Sequence, residues 1–239
     1  GATTGGFLIE RLGVMGHAGL LTVVGAVALV FIWPFVLHDA PHPNEERQKV
    51  RLPMTLLPWL IGLMALFSMA PEGAILDWGA LYMRDELGAS LALSGFAFGA
   101  FSLTMAVMRF AGDHVRDRFG AVKTLRFCTV MAMIGMVTAG LAPNAYIAVI
   151  GFAICGVGIS NMVPIAFSAA GNLPGFAQGV ALSVATVMGY SGSLFAPSII
   201  GFIAEHTGFA IIFALLPVLF IVVLLLSHHA VHADVHDHR

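Results

Sequence analysis

The sequence is short of charged residues and of cysteine. Only 10% of its 239 residues are Asp, Glu, Lys or Arg, whereas a soluble domain has about 25%. Because so few charges cannot cover the surface of a chain that is 59% hydrophobic, a soluble globule is excluded. The two cysteines, Cys128 and Cys155, lie inside apolar runs, so neither a disulfide framework nor a zinc-type spacing is indicated.

Motifs that bind ATP or carry out hydrolysis are also missing. The chain has no Gly-rich phosphate loop with a Lys, no HExxH and no GxSxG. ATP is therefore not the energy source from this chain, an enzyme is not indicated, and no cofactor is expected. A net charge of −2 gives no reason to expect a nucleic-acid partner.

Long apolar runs dominate what remains. A spanning helix needs about 20 mostly apolar residues. Residues 1–9 form a partial run, and seven full runs cover residues 17–37, 54–82, 89–110, 125–142, 145–168, 177–204 and 209–227. The alternating strands of about ten residues that a β-barrel needs are not found. The sequence therefore predicts an all-α membrane protein, a polytopic helical bundle in the lipid bilayer.

The basic residues orient this bundle. Nine of them fall on one side and two, Arg11 and Arg84, on the other, so the nine are expected to face the cytoplasm together with the C-terminus. The nine are Arg47, Lys49, Arg51, Arg109, Arg116, Arg118, Lys123, Arg126 and Arg239.

An octamer recurs 195 residues apart. Residues 6–13 read GFLIERLG and residues 201–208 read GFIAEHTG, with Gly, Phe, Glu and Gly at the same four offsets. Each octamer closes an apolar helix and precedes another one. Parallel six-helix repeats are one arrangement found in transporters. If each octamer ends the fifth helix of its half, four helices and most of a fifth are missing before residue 1, and they would be a partner of this chain.

A charged segment between two runs carries a family resemblance. Residues 109–123 read RFAGDHVRDRFGAVK, which resembles the loop motif of the major facilitator superfamily, although Gly112 and Asp117 are one residue further apart than usual and Asp113 is extra. The polar linker at 38–53 and the Gly/Pro-rich helices at 1–9 and 177–204 fit that family. Residues 72–78 (EGAILDW) resemble a bacterial inner-membrane branch whose substrates are mostly unassigned.

The resemblance implies a domain order. Residues 1–37 would end the N-terminal half with helices five and six, residues 38–53 would form the cytoplasmic linker, residues 54–227 the C-terminal six-helix half, and residues 228–239 a His-rich cytoplasmic tail. The chain would thus hold helices five to twelve of twelve. The location implied is the bacterial inner membrane, with the C-terminus in the cytoplasm.

The loop motif suggests a conformational latch. Asp113 and Asp117 are able to accept hydrogen bonds from Arg side chains and from helix N-terminal amides, contacts that would form in one state and break in the other. The alternative is an anchor of solvated charges. The latch residues are Arg109, Gly112, Asp113, Asp117, Arg118, Gly120 and Lys123.

Two acidic residues lie well inside a span. Glu72 is flanked by Pro71 and Gly73, where the helix is able to bend, and Asp77 lies nearer the outer surface. A desolvated carboxylate tends to take up a proton near neutral pH, which would suit proton coupling. The alternatives are an interhelical hydrogen-bond partner for Glu72 and an interfacial anchor for Asp77 beside Trp78.

Polar residues in two later spans are further candidates for solute contact. Pro164 frees a backbone carbonyl that, with Ser160 and Asn161, would bind a polar solute, and Tyr190 invites the same interpretation. The alternative is hydrogen bonding between helices. His232 and His236 have metal-ligand spacing if helical, but a solvated tail is the simpler interpretation and no functional metal site is expected.

The function implied is secondary active transport of a small solute by alternating access, with proton coupling. The alternatives are proton-driven efflux of amphipathic compounds, which the twelve Met and eighteen Phe would suit, and a membrane sensor or assembly subunit that transports nothing.

Overall fold

A computed structural model describes residues 2–35, 53–176 and 179–234. It divides into two compact units, Gly1–Lys49 and Val50–Arg239. In the first unit, α1 (Ala2–Ile32) is followed by a 3₁₀ turn, Trp33–Phe35.

The second unit is a helical bundle, with no strand among the residues described. Its helices are α2 (Leu57–Asp85), α3 (Leu91–Phe119), α4 (Ala121–Gly140), α5 (Ala145–Ile159), α6 (Met162–Gly171), α7 (Val180–Thr207), α8 (Phe209–Leu215) and α9 (Pro217–Leu226), and it closes with a 3₁₀ segment, Ser227–Ala233.

Seven helical stretches in the described residues are long and apolar enough to cross a membrane, as the sequence predicts. They are Arg11–Phe35, Leu57–Asp85, Leu91–Phe119, Ala121–Gly140, Ala145–Gly171, Val180–Thr207 and Phe209–Ala233. We name the two ends of the bundle after their glycines. The Gly120 end holds the α3–α4 junction, and the Gly208 end holds the α7–α8 junction.

Glycine creates three sharp helix breaks. Gly13, Gly120 and Gly208 have φ of 69°, 81° and 84° with ψ of 169°, 156° and 159°, a region that disfavours every residue with a Cβ. The turn expected near residues 112–124 is therefore a single residue, because α3 continues to Phe119 and α4 starts at Ala121. Gly13 and Gly208 close the two octamers, so the repeated sequence also repeats a backbone conformation.

Small residues set the packing of the bundle. Helices α4 and α5 approach so closely that a Cβ added to Gly158 would lie 2.1 Å from the backbone nitrogen of Ala132. Tyr82 of α2 is fully buried, and its hydroxyl donates to the carbonyl of Ala139 in α4 at 2.7 Å. The same ring lies 5.1 Å from that of Phe213, centroid to centroid. These contacts hold α2, α4 and α8 in fixed register, and that register positions the polar residues of α2.

Candidate functional site

An acidic side chain lies near the middle of α2. Glu72 is 13 residues before the end of the helix at Asp85, or about 20 Å at 1.5 Å per residue. The helix continues through Pro71 as one element from Leu57 to Asp85. The side chain of Glu72 is only 16% exposed. A carboxylate at such a depth needs a partner, because leaving it unpaired in an apolar setting is costly.

Arg109 of α3 is that partner. Its Nη2 lies 3.2 Å from Oε1 of Glu72, and its Nε donates to the carbonyl oxygen of Ser160 at 3.2 Å. The Arg109 side chain is 44% exposed. One guanidinium thus joins α2 to the break between α5 and α6.

That break has a chemical cause. Pro164 has no N–H for the Ser160 carbonyl, and its ring clashes with that carbonyl in a regular helix. Accordingly, Ser160 and Asn161 lie between α5 and α6 and outside both. The freed carbonyl was expected to be available to a solute. In the structure it accepts from Arg109.

Asn161 joins the same break to α3. Its Nδ2 donates to the carbonyl of Met108 at 3.1 Å and to Oγ of Ser160 at 3.0 Å. The amide fits because α3 has a glycine opposite: a Cβ on Gly112 would lie 1.9 Å from Oδ1 of Asn161. Gly112 was predicted to be part of a cytoplasmic loop. In the structure it lies inside the bundle, where its lack of a side chain leaves room for the Asn161 amide.

These contacts bring together residues for which the sequence predicted two different roles, the conformational latch and the solute or proton site. The latch candidates Arg109 and Gly112 meet the solute- or proton-site candidates Glu72, Ser160 and Asn161 in one assembly. We call these five residues the polar cluster. Arg109 was predicted to be a cytoplasmic basic residue and part of the latch, because nothing in the sequence connects it to a carboxylate 37 residues earlier.

The other candidate residues lie apart from the polar cluster. Asp77 and Tyr190 are exposed, on α2 and α7, and neither forms an ion pair or side-chain hydrogen bond with another described residue. Asp113 pairs with Arg116 on its own helix at 3.5 Å. The remaining latch candidates are Asp117 and Lys123, which are exposed, Arg118, whose Cζ lies 5.6 Å from the ring centre of Phe119, and Gly120, which forms the α3–α4 junction.

A carboxylate that the sequence analysis missed caps the start of α4. Both oxygens of Asp234 accept from the backbone nitrogen of Ala121, at 2.9 and 2.8 Å. Nearby, Nε of Arg126 donates to Oγ of Ser227 at 2.8 Å. The acceptors predicted for such an amide were Asp113 and Asp117, but the residue found there comes from the end of the last span.

The Gly208 end has a matching cap. Glu86, just past α2, accepts from the backbone nitrogens of Phe209 and, at 3.0 Å, of Ala210. The breaks at Gly120 and Gly208 thus expose helix N-terminal amides that a carboxylate from a distant part of the chain binds. A glycine between two apolar runs is the sequence signal for such a site, although it does not identify the acid.

Asp234→Ala is expected to lower the free energy of unfolding by about 1 kcal/mol, the usual effect of removing a helix cap. Thermal unfolding of the purified chain in detergent measures this. Asp113→Asn is the matched control, because its side chain is 87% exposed and its only ion pair described is within α3. Equal unfolding midpoints for Asp234→Ala and the unmodified chain would show that this carboxylate does not fasten α4.

No group of three His, Cys, Asp or Glu side chains in the described ranges is placed to hold a metal ion. His232 lies in the final 3₁₀ segment, whereas His236 lies outside the described residues.

The membrane-length helices, with a partly buried ion pair between α2 and α3, define a polytopic α-helical membrane protein. Comparison with known proteins identifies its family: the model of the Major Facilitator Superfamily matches residues 60–238. The chain belongs to that superfamily, and membership indicates a transporter rather than an enzyme.

Three relatives illustrate the similarity. The membrane protein MosC of Rhizobium meliloti is 32% identical over 205 residues, which are 84% of this chain and 50% of MosC. An uncharacterized MFS-type transporter of Yersinia pestis is 32% identical over 163 residues, 68% of this chain and 42% of the relative. A protein of Staphylococcus aureus named probable nitrate transporter NarT is 31% identical over 134 residues, 53% of this chain and 33% of NarT. The chain thus spans about half the length of the curated relatives it matches.

Proposed function

We propose that this chain works in a secondary active transporter that moves a small solute by alternating access, with proton coupling through Glu72. The observation that carries the proposal is the Arg109 bridge from Glu72 on α2 to the Ser160 carbonyl at the α5–α6 break. Charged residues inside a membrane bundle are costly and mark solute or proton pathways. Glu72 is the one of the pair that changes charge, because Arg keeps its proton in proteins.

Proton uptake would change what Arg109 holds together. When Glu72 is neutral, the Coulomb attraction to Arg109 is lost, while the bond from Arg109 to the Ser160 carbonyl does not depend on that charge. Helix α2 would then be free to move relative to α3 and the α5–α6 break. Such an element with two arrangements is what alternating access requires, because a ligand moves an equilibrium only through its different affinity for the two states.

Arg109 also favours an anion as the solute. Its Nε and Nη2 are engaged, whereas Nη1 has no hydrogen-bond partner among the described residues. Nη1 carries two N–H donors, hydrogen bonds from a guanidinium to an anion are strong, and one relative is named a probable nitrate transporter. We therefore place nitrate first in the solute panel. Asp77 and Tyr190, exposed on the two packed helices α2 and α7, remain proposed solute or proton contacts.

The direct test is solute-dependent proton movement. Two preparations are reconstituted in liposomes that contain a trapped pH dye: the chain alone, and the chain purified after co-expression with the N-terminal half of MosC. Nitrate, chloride or a neutral sugar is then added outside the liposomes. Acidification of the lumen supports symport, whereas alkalinisation supports the efflux alternative. Saturable solute binding without any pH change or flux in either preparation would favour the sensor alternative and contradict the transport proposal.

The latch remains a proposal for the Gly120 end, which we place in the cytoplasm of a bacterium because Arg116, Arg118, Lys123 and Arg126 cluster there. Asp117→Asn is expected to lower transport at least several-fold without lowering the amount of protein inserted in the membrane. Uptake per inserted molecule measures the effect, with Asp85→Asn at the opposite end as the control. Transport at the unmodified rate would support the anchor interpretation instead.

A further inference from the structure

An open groove lies between α2 and α7 toward the Gly208 end, inside the second unit. Its volume is about 410 Å³, and its lining residues are Trp78, Pro197, Ser198, Gly201, Phe202 and Glu205. Trp78 is six residues after Glu72, which places it about 9 Å further along α2 and about 240° around the helix. The groove is therefore separate from the polar cluster.

One wall of the groove is a fixed aromatic face. The Trp78 ring stacks on Phe209, with centroids 5.4 Å apart and an interplanar angle of 28°. A Cβ on Gly201 would lie 2.8 Å from Cζ2 of Trp78, so glycine lets α7 approach the indole. These two contacts position the indole before any ligand arrives.

The other wall carries an exposed ring and a carboxylate. Phe202 is 67% exposed. Glu205 is exposed and forms no hydrogen bond or ion pair with another described residue. The two are three positions apart on α7 and so share a helix face. Aromatic faces beside an unpaired carboxylate form the surroundings that recognise an organic ammonium group.

The internal repeat points to the same residues. Its four matched positions in the second octamer are Gly201, Phe202, Glu205 and Gly208. Packing against Trp78 explains Gly201, and a φ of 84° explains Gly208. An exposed phenylalanine suits a membrane-length helix, whereas packing does not explain an exposed Glu205, and both residues line the groove. A requirement for ligand contact accounts for the match at Glu205.

We propose that this groove binds an alkylammonium group, with the cation against the rings of Trp78 and Phe202 and near the Glu205 carboxylate. That chemistry is available from a free solute or from the headgroup of an ethanolamine or choline lipid. The site is independent of the proton-coupling role of Glu72, because a groove that binds no ammonium leaves the polar cluster unchanged.

Trp78 serves as its own probe. Trp33→Phe and Trp59→Phe leave it as the only tryptophan, and the full chain is placed in phosphatidylglycerol nanodiscs and titrated with choline. We expect a saturable change in Trp78 fluorescence. Glu205→Gln is expected to raise the Kd about tenfold or more, and the uncharged isostere 3,3-dimethylbutan-1-ol to bind at least about tenfold more weakly than choline. Asp85→Asn, which alters another exposed carboxylate at this end, is expected to change the Kd less than about twofold.

A second set of nanodiscs containing phosphatidylethanolamine separates the two ammonium sources. A weaker apparent affinity for choline there identifies the lipid headgroup as the occupant, and an unchanged affinity identifies a free solute. Circular dichroism and thermal midpoints verify folding, and calorimetric titration of the chain with all its tryptophans replaces fluorescence if the double Phe variant does not fold. An unsaturable response, an equal response to the isostere, or an unchanged Kd in Glu205→Gln would overturn the proposal.

Discussion

Arg109→Ala is expected to lower the free energy of unfolding of the bundle by about 3 kcal/mol. Removing one partner of a buried ion pair usually costs about 3–5 kcal/mol, because the other charge is left buried and alone. The lower end applies here because Arg109 is 44% exposed whereas Glu72 is 16% exposed. The same substitution also removes the donor to the Ser160 carbonyl, which Pro164 has already deprived of its helical partner.

A double-mutant cycle isolates the pair. Glu72→Gln alone should cost less than Arg109→Ala, because the arginine charge that it leaves unpaired is 44% exposed and glutamine still accepts a hydrogen bond from it. In the Arg109→Ala background, Glu72→Gln should restore part of the lost stability, with a coupling energy above about 1 kcal/mol. Chemical unfolding of the four proteins in mixed micelles measures the cycle. Arg84→Ala, which alters an exposed arginine paired with the adjacent Asp85, is the matched control. Additive effects of the two substitutions would show that the pair contributes no stability.

The positions of the helices along the chain can be predicted from the sequence, because one local property, the length of an apolar run, determines them. A run of about 20 apolar residues must be helical in lipid to satisfy its own backbone. The helix ends are less predictable. Gly120 was placed inside a loop, yet one residue with a positive φ suffices to turn the chain. The cap that makes this turn stable comes from Asp234, 113 positions away, and local composition gives no information about so distant a partner.

The sequence identified each residue of the polar cluster as a candidate, but it did not predict that the five residues contact one another. Glu72 was identified because a carboxylate is unusual in a span, and Pro164 indicated a freed backbone carbonyl. Both Glu72 and the Ser160 carbonyl contact Arg109, which the basic residues around it had led us to assign to the cytoplasmic latch. Only the packing of α2, α3 and the α5–α6 break brings the Glu72 carboxylate and the Ser160 carbonyl each to 3.2 Å from the Arg109 guanidinium. The physical reason is that the rotation and depth of one helix against another depend on contacts such as Gly112 against Asn161, which are made between distant segments.

Glu72→Gln is expected to abolish proton-driven accumulation of the solute, by at least about tenfold, while leaving solute exchange across the membrane in place. Glutamine has nearly the size of glutamate and is able to accept from Arg109, but it neither binds nor releases a proton. A transporter that can no longer exchange its proton still changes state with the solute bound, so counterflow of labelled against unlabelled solute continues. What is lost is the link to the pH gradient, and liposomes with and without that gradient measure the two processes separately.

The pattern of the two assays decides which role Glu72 has. If Glu72 is only a structural partner of Arg109, the glutamine variant keeps a pH-driven signal in proportion to the amount of folded protein, and proton coupling through this residue is wrong. If Glu72 contacts the solute directly, counterflow falls together with accumulation. Glu72→Asp is the informative companion: the charge is kept but the side chain is one methylene shorter, so the ion pair with Arg109 lengthens. Proton-driven accumulation should therefore persist at a reduced rate, which a neutral side chain at this position cannot reproduce.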